Sequence, residues 1–310
     1  MADPNPRILP YGMAAIAEAA ARIGRGECVA VPTETVYGLA ADAGNAAAVA
    51  GIYAAKGRPS FNPLIVHVAD ADAAEALAVF DADARTLAAA FWPGPLTLVL
   101  PLRAGAPIAS LVTAGLPTIA IRVPRHRAMQ AVLAASARPL AAPSANASNG
   151  ISPTRAAHVA ASLGTRVPLI VDDGATAAGL ESTIVAGRTI LRPGPITAAD
   201  MPFPVVRHSI DSIDSGITAP GQLAAHYAPR KPLRLGATDA RRDEWLIGYG
   251  TVAGDDTLSA SGDLREAAAR LFDALHRADA GDRAGIAIAP VPCDGLGEAI
   301  NDRLARAAHR

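Results

Sequence analysis

Short apolar runs alternate with alanine-rich segments over the first 200 residues, and this order restricts the fold more than any other feature of the chain. Leu64–Val68, Leu96–Leu100 and Thr118–Val123 have the length and apolar character of strands. Residues 12–23 and 45–55 have the composition of helices, and an asparagine can cap the second of them. Interleaved strands and helices are typical of an α/β domain. The strands are short and irregularly spaced, so the pattern does not require a purely parallel sheet.

Further elements continue this alternation. Ser152-Pro153-Thr154 predicts a helix start, with Ser152 as the N-cap and the helix running to Leu163. The remaining predicted elements are helices over 70–80, 82–91 and 126–136, and short strands over 28–31, 168–171, 182–185 and 189–191.

Residues 202–231 differ in character from the chain on either side, because they contain several Pro and Gly and little periodicity. We interpret this segment as a linker. It separates a predicted α/β domain over 1–201 from a small βαβα unit over 232–310. A chain of 310 residues favours two domains over one.

The composition excludes several classes of protein. Hydrophobic residues make up 51% and charged residues 18% of the chain, so a large core is expected and general disorder is not. The formal net charge is −1 and aromatic residues make up 4%. Any basic surface must therefore be local, which argues against a protein whose main role is to coat nucleic acid.

The two cysteines, Cys28 and Cys293, lie far apart and have no Cys or His neighbours at zinc spacing. We therefore expect neither a disulfide scaffold nor a zinc site, and a reducing cytosol fits. The first residues lack a basic segment followed by an apolar one, and no run of about 18 apolar residues occurs. The prediction is a cytoplasmic protein without a membrane partner.

Four cations stand at predicted element ends beside turns: Lys56, Arg58, Arg122 and Arg192. Loops at such ends hold most α/β binding sites. The simpler interpretation is that Lys56 and Arg58 lie at a solvated helix C-terminus, where the helix dipole stabilises cations. His67 interrupts an apolar strand and is either a core histidine bonded to backbone or a ligand to substrate.

Polar residues accompany these cations. Thr33, Glu34 and Thr35 follow a strand directly, and the loop "SANASNG" leads towards a predicted helix N-terminus, which attracts phosphate. The sequence contains no GxxxxGK[ST], GxGxxG, GxSxG or HExxH motif. The residues present suit the binding of a polyanion and a small zwitterion, and phosphoryl or nucleotidyl transfer is catalysed largely by such positioning.

Seven segments in this order resemble the YrdC-like threonylcarbamoyl-AMP synthases: "PTETVYGLAADA", "KGRPSFNPLIVHV", "FWPGPLTLVL", "TIAIRVPRH", "APSANASNGISPT", "ESTIV" and "LRPGPI". They cover residues 10–200, and "PGQLAAHYAPRKPL" and "GLGEAINDRLARAA" resemble the long form with an extra C-terminal domain. The resemblance implies a twisted mixed sheet with a concave basic cavity, a small Rossmann-like second domain, and a linker folded over the cavity. It also implies a nucleotidyltransferase that converts L-threonine, bicarbonate and ATP into threonylcarbamoyl-AMP and pyrophosphate.

The resemblance further implies roles for individual residues. Lys56 and Arg58 would be catalytic, and alanine at either position is expected to abolish pyrophosphate release without unfolding, if both face solvent. The positions expected around threonine are Thr35, His67, Arg122, Ala142 and Ser182. The positions expected around the nucleotide are Lys56, Arg58, Asn62, Thr118, Ser144, Asn146, Ser152, Arg192 and Tyr227.

The same resemblance implies a phosphate-bound Mg²⁺, with no metal held by protein ligands, and ATP as a substrate. A separate transferase complex would place the product on the tRNA adenosine next to the anticodon, so tRNA contact is possible but not required. Three rival readings stay open. One is a double-stranded RNA or tRNA-binding module without turnover, another is a carbamoyl transferase of hydrogenase maturation, and the last is a purely structural role.

Overall fold

The structure is a computed structural model that describes residues 6–207 and 226–309. Its strands form two separate sheets, one of eleven strands and one of four. The large sheet is built from residues before 208, and the small sheet from residues after 232. The mixed α/β fold predicted from the sequence, with a second α/β unit at the C-terminal end, is confirmed.

The large sheet mixes parallel and antiparallel pairs, in the order β1-β8-β2-β3-β7-β4-β6-β5-β9-β10-β11. Its strands are β1 Arg7–Pro10, β2 Val29–Pro32, β3 Tyr37–Asp42, β4 Ile65–His67, β5 Leu96–Pro101, β6 Thr118–Arg122, β7 Leu140–Ala141, β8 Leu169–Asp172, β9 Thr183–Ala186, β10 Thr189–Arg192 and β11 Val206–Arg207. The helices around it are α1 Met13–Gly24, α2 Ala46–Lys56, α3 Ala71–Leu77, α4 Ala82–Phe91, α5 Ser110–Thr113, α6 Arg127–Ser136 and α7 Ala156–Leu163.

The small sheet is parallel throughout, in the order β12-β15-β13-β14. Its elements are β12 Leu233–Arg234, β13 Glu244–Gly248, β14 Asp256–Thr257, α8 Leu264–Ala280, β15 Gly285–Ile288 and α9 Leu296–Ala308. Asp263 caps α8 by accepting hydrogen bonds from the N–H groups of Arg265 and Glu266. Both long helices are amphipathic and bury their apolar faces.

The parts of the protein that carry the two sheets pack against each other. The C-terminal core is built on α8 and α9, and it includes four buried residues that precede the small sheet in the chain: Val36, Ile151, Leu180 and Tyr227. Gly179 lies so close to α8 that a Cβ there would meet the Ala268 carbonyl oxygen at 2.4 Å. The two parts of the protein therefore meet through a packed interface rather than through isolated surface contacts.

Three predictions about local structure need correction. Strands β1 and β3 were not predicted; all six residues of β3 are buried, so it lacks the alternation that marks a half-buried strand. Ser152 does not cap α7, because that helix begins at Ala156 and the Ser152 hydroxyl bonds Glu181 instead. The predicted linker contributes β11, and its residues 208–225 lie outside the described residues.

No helix within residues 6–207 and 226–309 has both the length and the apolar character needed to cross a bilayer.

Candidate active site

A cavity of about 50 Å³ lies between the large sheet, the loop 142–144 and residues 226–227. This volume has room for a few water molecules. Every position predicted around threonine lines it, and so do four of the positions predicted around the nucleotide. The first group is Thr35, His67, Arg122, Ala142 and Ser182, and the second is Arg58, Ser144, Arg192 and Tyr227.

Helix α2 brings the first cations to this cavity. Asn45 caps its N-terminus, as predicted, and Gly57 ends it in the left-handed conformation with φ 61°. Arg58 then turns back, and its guanidinium donates to the carbonyl oxygens of Asn62 and Pro63 at 3.2 and 2.9 Å. Burial lowers the pKa of Arg58 to about 10, which leaves it charged at neutral pH.

Lys56 does not face solvent, contrary to the prediction. It is 3% exposed, and its Nζ donates to the carbonyl oxygens of Ser144 and Asn146, both at 2.6 Å. Burial, followed by the nearby charge of Arg58, lowers the pKa of the ammonium well below its usual range. Lys56 therefore fixes the loop that carries Ser144, and the solvent-facing position on which the predicted effect of the alanine variant depended is not found.

Arg192 at the end of β10 and Ser182, the residue before β9, are joined by hydrogen bonds. Arg192 donates from Nη2 to the carbonyl oxygen and the hydroxyl of Ser182, at 2.9 and 3.1 Å. Gly194 follows in the Pro-Gly turn, where a Cβ would lie 2.5 Å from the backbone N of Thr183. Only glycine allows this close approach, so the turn holds Arg192 stiffly beside the cavity, as the sequence suggested.

Arg122 lines the cavity but already has a carboxylate partner. Its Nη2 donates to Glu34 at 2.6 Å, its Nη1 donates to the Thr35 hydroxyl at 2.9 Å, and its Nε donates to the Gly94 carbonyl oxygen at 3.2 Å. Among the described residues, these bonds engage three of its five N–H groups. A substrate carboxylate therefore meets a guanidinium that is held in place, not one that is fully available.

His67 stands in β4 with its ring towards the cavity rather than the core. It is 2% exposed, and its Nδ1 has no hydrogen-bond partner among the described residues. Burial, with a smaller contribution from Arg122, lowers the pKa of His67 to about 3. The ring is therefore neutral at physiological pH, and its unpartnered nitrogen is available to a ligand.

Five predicted residues do not line the cavity: Lys56, Asn62, Thr118, Asn146 and Ser152. Thr118 lies at the start of β6, four residues along the strand from Arg122. Asn62 and Asn146 are buried, and the side-chain oxygen of each has no partner among the described residues. Asn146 also donates to the carbonyl oxygens of Ala147 and Gly150, so it stabilises the loop.

We call residues 226–228 the strap, and two of them, His226 and Tyr227, line the cavity. Tyr227 is fully buried, its hydroxyl has no described partner, and its backbone has φ 64°. Non-glycine residues seldom adopt positive φ, and such strain concentrates at functional positions. Ala228 fixes the strap by donating to the Asn149 carbonyl oxygen at 2.8 Å.

Two charged residues at or behind the cavity wall, Glu181 and Arg303, were not predicted. Glu181 lines the cavity and accepts a hydrogen bond from Ser152. Arg303 of α9 is fully buried and donates from Nε to Glu181 at 2.8 Å. Glu181 belongs to the "GLESTIV" segment, so its neighbours could have indicated it. Arg303 stands among other arginines on an amphipathic helix and carries no such signal.

The fold is that of a mixed α/β protein, and three arginines line a cavity that also meets the strap. Residues 21–194 match the family model Sua5_yciO_yrdC, described as "Telomere recombination". Residues 196–309 match the model described as "Threonylcarbamoyl-AMP synthase, C-terminal domain". The chain belongs to this family, and the resemblance inferred from the sequence motifs is confirmed, together with the enzyme class.

Individual relatives agree with this assignment. The threonylcarbamoyl-AMP synthase of Bacillus subtilis is 41% identical, over 94% of this chain and 92% of that protein. The synthase of Pyrococcus abyssi is 37% identical, over 94% and 93%. The crystal structure of P. abyssi Sua5 complexed with L-threonine has a TM-score of 0.88 and 35% identity, over 97% of both chains. Full-length HypF, with a TM-score of 0.52 and 17% identity, shares the fold alone.

Proposed function

We propose that this protein synthesises L-threonylcarbamoyl-AMP and pyrophosphate from L-threonine, bicarbonate or CO₂, and ATP. The observation that carries the proposal is the convergence of three arginines, several hydroxyls and unpartnered polar atoms on one cavity. Its relatives are named threonylcarbamoyl-AMP synthases, and one was crystallised with L-threonine.

We assign the threonine end of the cavity to Thr35, His67, Arg122, Ser182 and the backbone of Ala142. Arg122 is fixed by Glu34 and Thr35, so it presents its remaining N–H groups in a set direction towards a carboxylate. The unpartnered Nδ1 of His67 is well placed to bond the amino acid. Because His67 stays neutral, it adds no charge that would compete with Arg122.

We assign the phosphate end to Arg58 and Arg192, with Ser144 beside them. Both guanidiniums are anchored to backbone carbonyl oxygens, so they need little reorganisation when phosphate binds. Lys56, Asn62, Asn146 and Ser152 act behind this surface by holding the loops in place. In this proposal Lys56 contributes to catalysis through the position of Ser144, not by touching phosphate.

The reaction then proceeds in two steps. The threonine amine takes up bicarbonate and releases water, which gives an N-carboxylate. An oxygen of this carbamate attacks the α-phosphorus of ATP, and the bond from that phosphorus to the bridging oxygen breaks, so that pyrophosphate leaves. Arg58 and Arg192 offset the charge that accumulates on the phosphates. An enclosed site also protects the carbamate, which decomposes readily in water.

We propose that Mg²⁺ arrives as part of the ATP complex, held mostly by phosphate oxygens. The described residues contain no group of three His, Cys, Asp or Glu side chains arranged to hold a metal ion. Glu181, the carboxylate in the cavity wall, already accepts hydrogen bonds from Ser152 and Arg303.

The strap and the C-terminal domain gate this site in our proposal. With Tyr227 in place the cavity is about 50 Å³, which is too small for ATP, so the strap must move to admit the nucleotide. Tyr227 would then contact the nucleotide from above.

A separate transferase would use the product to modify the adenosine next to the anticodon in certain tRNAs. We propose that the protein works in the cytoplasm; its two cysteines are free, and Cys28 is buried. Residues 1–201, 202–231 and 232–310 are our proposed catalytic domain, linker and C-terminal domain.

Pyrophosphate release from ATP tests this function. We expect release when L-threonine and bicarbonate are both present, and a loss when either is omitted, with mass spectrometry identifying threonylcarbamoyl-AMP. Release that ignores threonine would contradict the proposal. Salt-sensitive tRNA binding without turnover would favour the RNA-binding alternative.

A further inference from the structure

Arg303 belongs to the C-terminal domain, yet it makes most of its described contacts at the wall of the cavity. Its Nε donates to Glu181 at 2.8 Å and its Nη2 to the carbonyl oxygen of Pro193 at 3.0 Å. Its guanidinium carbon also lies 5.2 Å from the centre of the Tyr227 ring. One buried side chain of α9 therefore contacts the cavity wall, the Pro-Gly turn after Arg192 and the strap.

Glu181 is the one acidic residue among the described residues that line the cavity, where Arg58, Arg122 and Arg192 are the strongly basic ones. Burial raises the pKa of its carboxyl, but Arg303 and Arg192 outweigh burial and hold that pKa below its usual range. Glu181 is therefore ionised, and its negative charge stands where we propose that the phosphates of ATP bind.

We propose that Arg303 is a positioning residue for the polyphosphate site: it cancels the charge of Glu181 and keeps that carboxylate turned towards Ser152. This inference rests on the proposed function, because it assumes that the cavity takes a nucleotide. Without Arg303, Glu181 would lose its buried ion-pair partner and keep only the influence of Arg192 and Ser152, so more of its negative charge would act on the phosphates and repel them. The C-terminal domain thus contributes directly to the electrostatic field of the catalytic cavity.

The inference predicts that removing Arg303 weakens the binding of a ligand more when that ligand carries more negative charge. At the effective dielectric of a partly buried site, one uncovered charge within about 10 Å of a phosphate weakens binding by about tenfold or more. Adenosine carries no phosphate, so its affinity should not change. A purely structural role for Arg303 would weaken adenosine, AMP and ATP alike.

The test compares R303M with E181Q/R303M by calorimetric binding of adenosine, AMP and ATP. Both variants lack the Arg303 contact with the strap, so their difference isolates the charge of Glu181. We expect R303M to bind ATP at least tenfold more weakly than E181Q/R303M, AMP to show a smaller difference, and adenosine to differ by less than twofold. If R303M does not fold, R303K replaces it and should keep ATP affinity close to that of the wild type.

R155M is the matched control, because Arg155 also forms an ion pair between the domains, but its partner Asp273 does not line the cavity, whereas Glu181 does. We expect it to bind ATP like the wild type. Equal ATP affinity of R303M and E181Q/R303M, or equal losses for all three ligands, would overturn the inference. The proposed function is tested separately by pyrophosphate release. The binding measurements need no turnover, so they can fail or succeed independently of it.

Discussion

Replacing Lys56 by methionine should unfold part of the protein rather than remove a phosphate contact. The chain has two lysines, Lys56 and Lys231, and each donates to two backbone carbonyl oxygens. A buried acceptor that loses its donor costs about 1–3 kcal/mol, so removing both bonds of Lys56 should cost about 2–6 kcal/mol. Methionine keeps the apolar stem and leaves both carbonyl oxygens without their donor.

Urea unfolding followed by tryptophan fluorescence measures this loss. Trp92 reports on the large sheet and Trp245 on the small one. Lys231→Met is the matched control: Lys231 is only half-buried, so we expect a loss of about 1–2 kcal/mol. A Lys56→Met protein with wild-type stability that fails to bind ATP would refute this reasoning. It would indicate that Lys56 contacts the phosphates directly.

Three further predictions concern acid stability, the domain interface and the linker. The folded-state pKa of His67 is about 3, below its ordinary 6.5, so the unfolded chain binds the extra proton and wild-type stability falls as pH drops below 6.5. Between pH 6.5 and 4.5, urea titrations should show that the free energy of unfolding of His67→Asn falls by about 2–3 kcal/mol less than that of the wild type. Equal losses of stability in the two proteins would contradict this. Gly179→Ala should lower the melting temperature more than Gly174→Ala, because both have positive φ but only Gly179 lies against α8; equal shifts would show that the contact does not matter. Replacing residues 206–231 by a Gly/Ser linker should impair synthesis while the first domain stays folded by circular dichroism, and full activity would reject gating by the strap.

The sequence was informative wherever a local pattern determines structure. Asn45 and Gly57 mark the ends of α2 by cap chemistry, and the short apolar runs became strands. The pattern failed for Tyr37–Asp42, because a strand buried on both faces has no alternation. It also failed at Ser152, where a buried glutamate competes successfully for the hydroxyl.

The candidate site, too, could be predicted from the sequence only in part. Motif order placed Arg58, His67 and Arg192 at one cavity, because residues at strand and helix ends converge in such folds. It could not show that Lys56 is buried or that Arg122 already pairs with Glu34, since both facts depend on contacts across about 90 residues of chain. Arg303 reaches Glu181 from 122 residues away, and no local pattern encodes that contact.

The central claim is that one cavity holds adenylate beside threonine, under a strap that must first withdraw. A crystal structure with L-threonine and a non-hydrolysable ATP analogue tests it most directly. We predict phosphates against Arg58 and Arg192, the amino acid against His67 and Arg122, and Tyr227 displaced from its present position. Ligands bound elsewhere, with Tyr227 still filling the cavity, would contradict the claim.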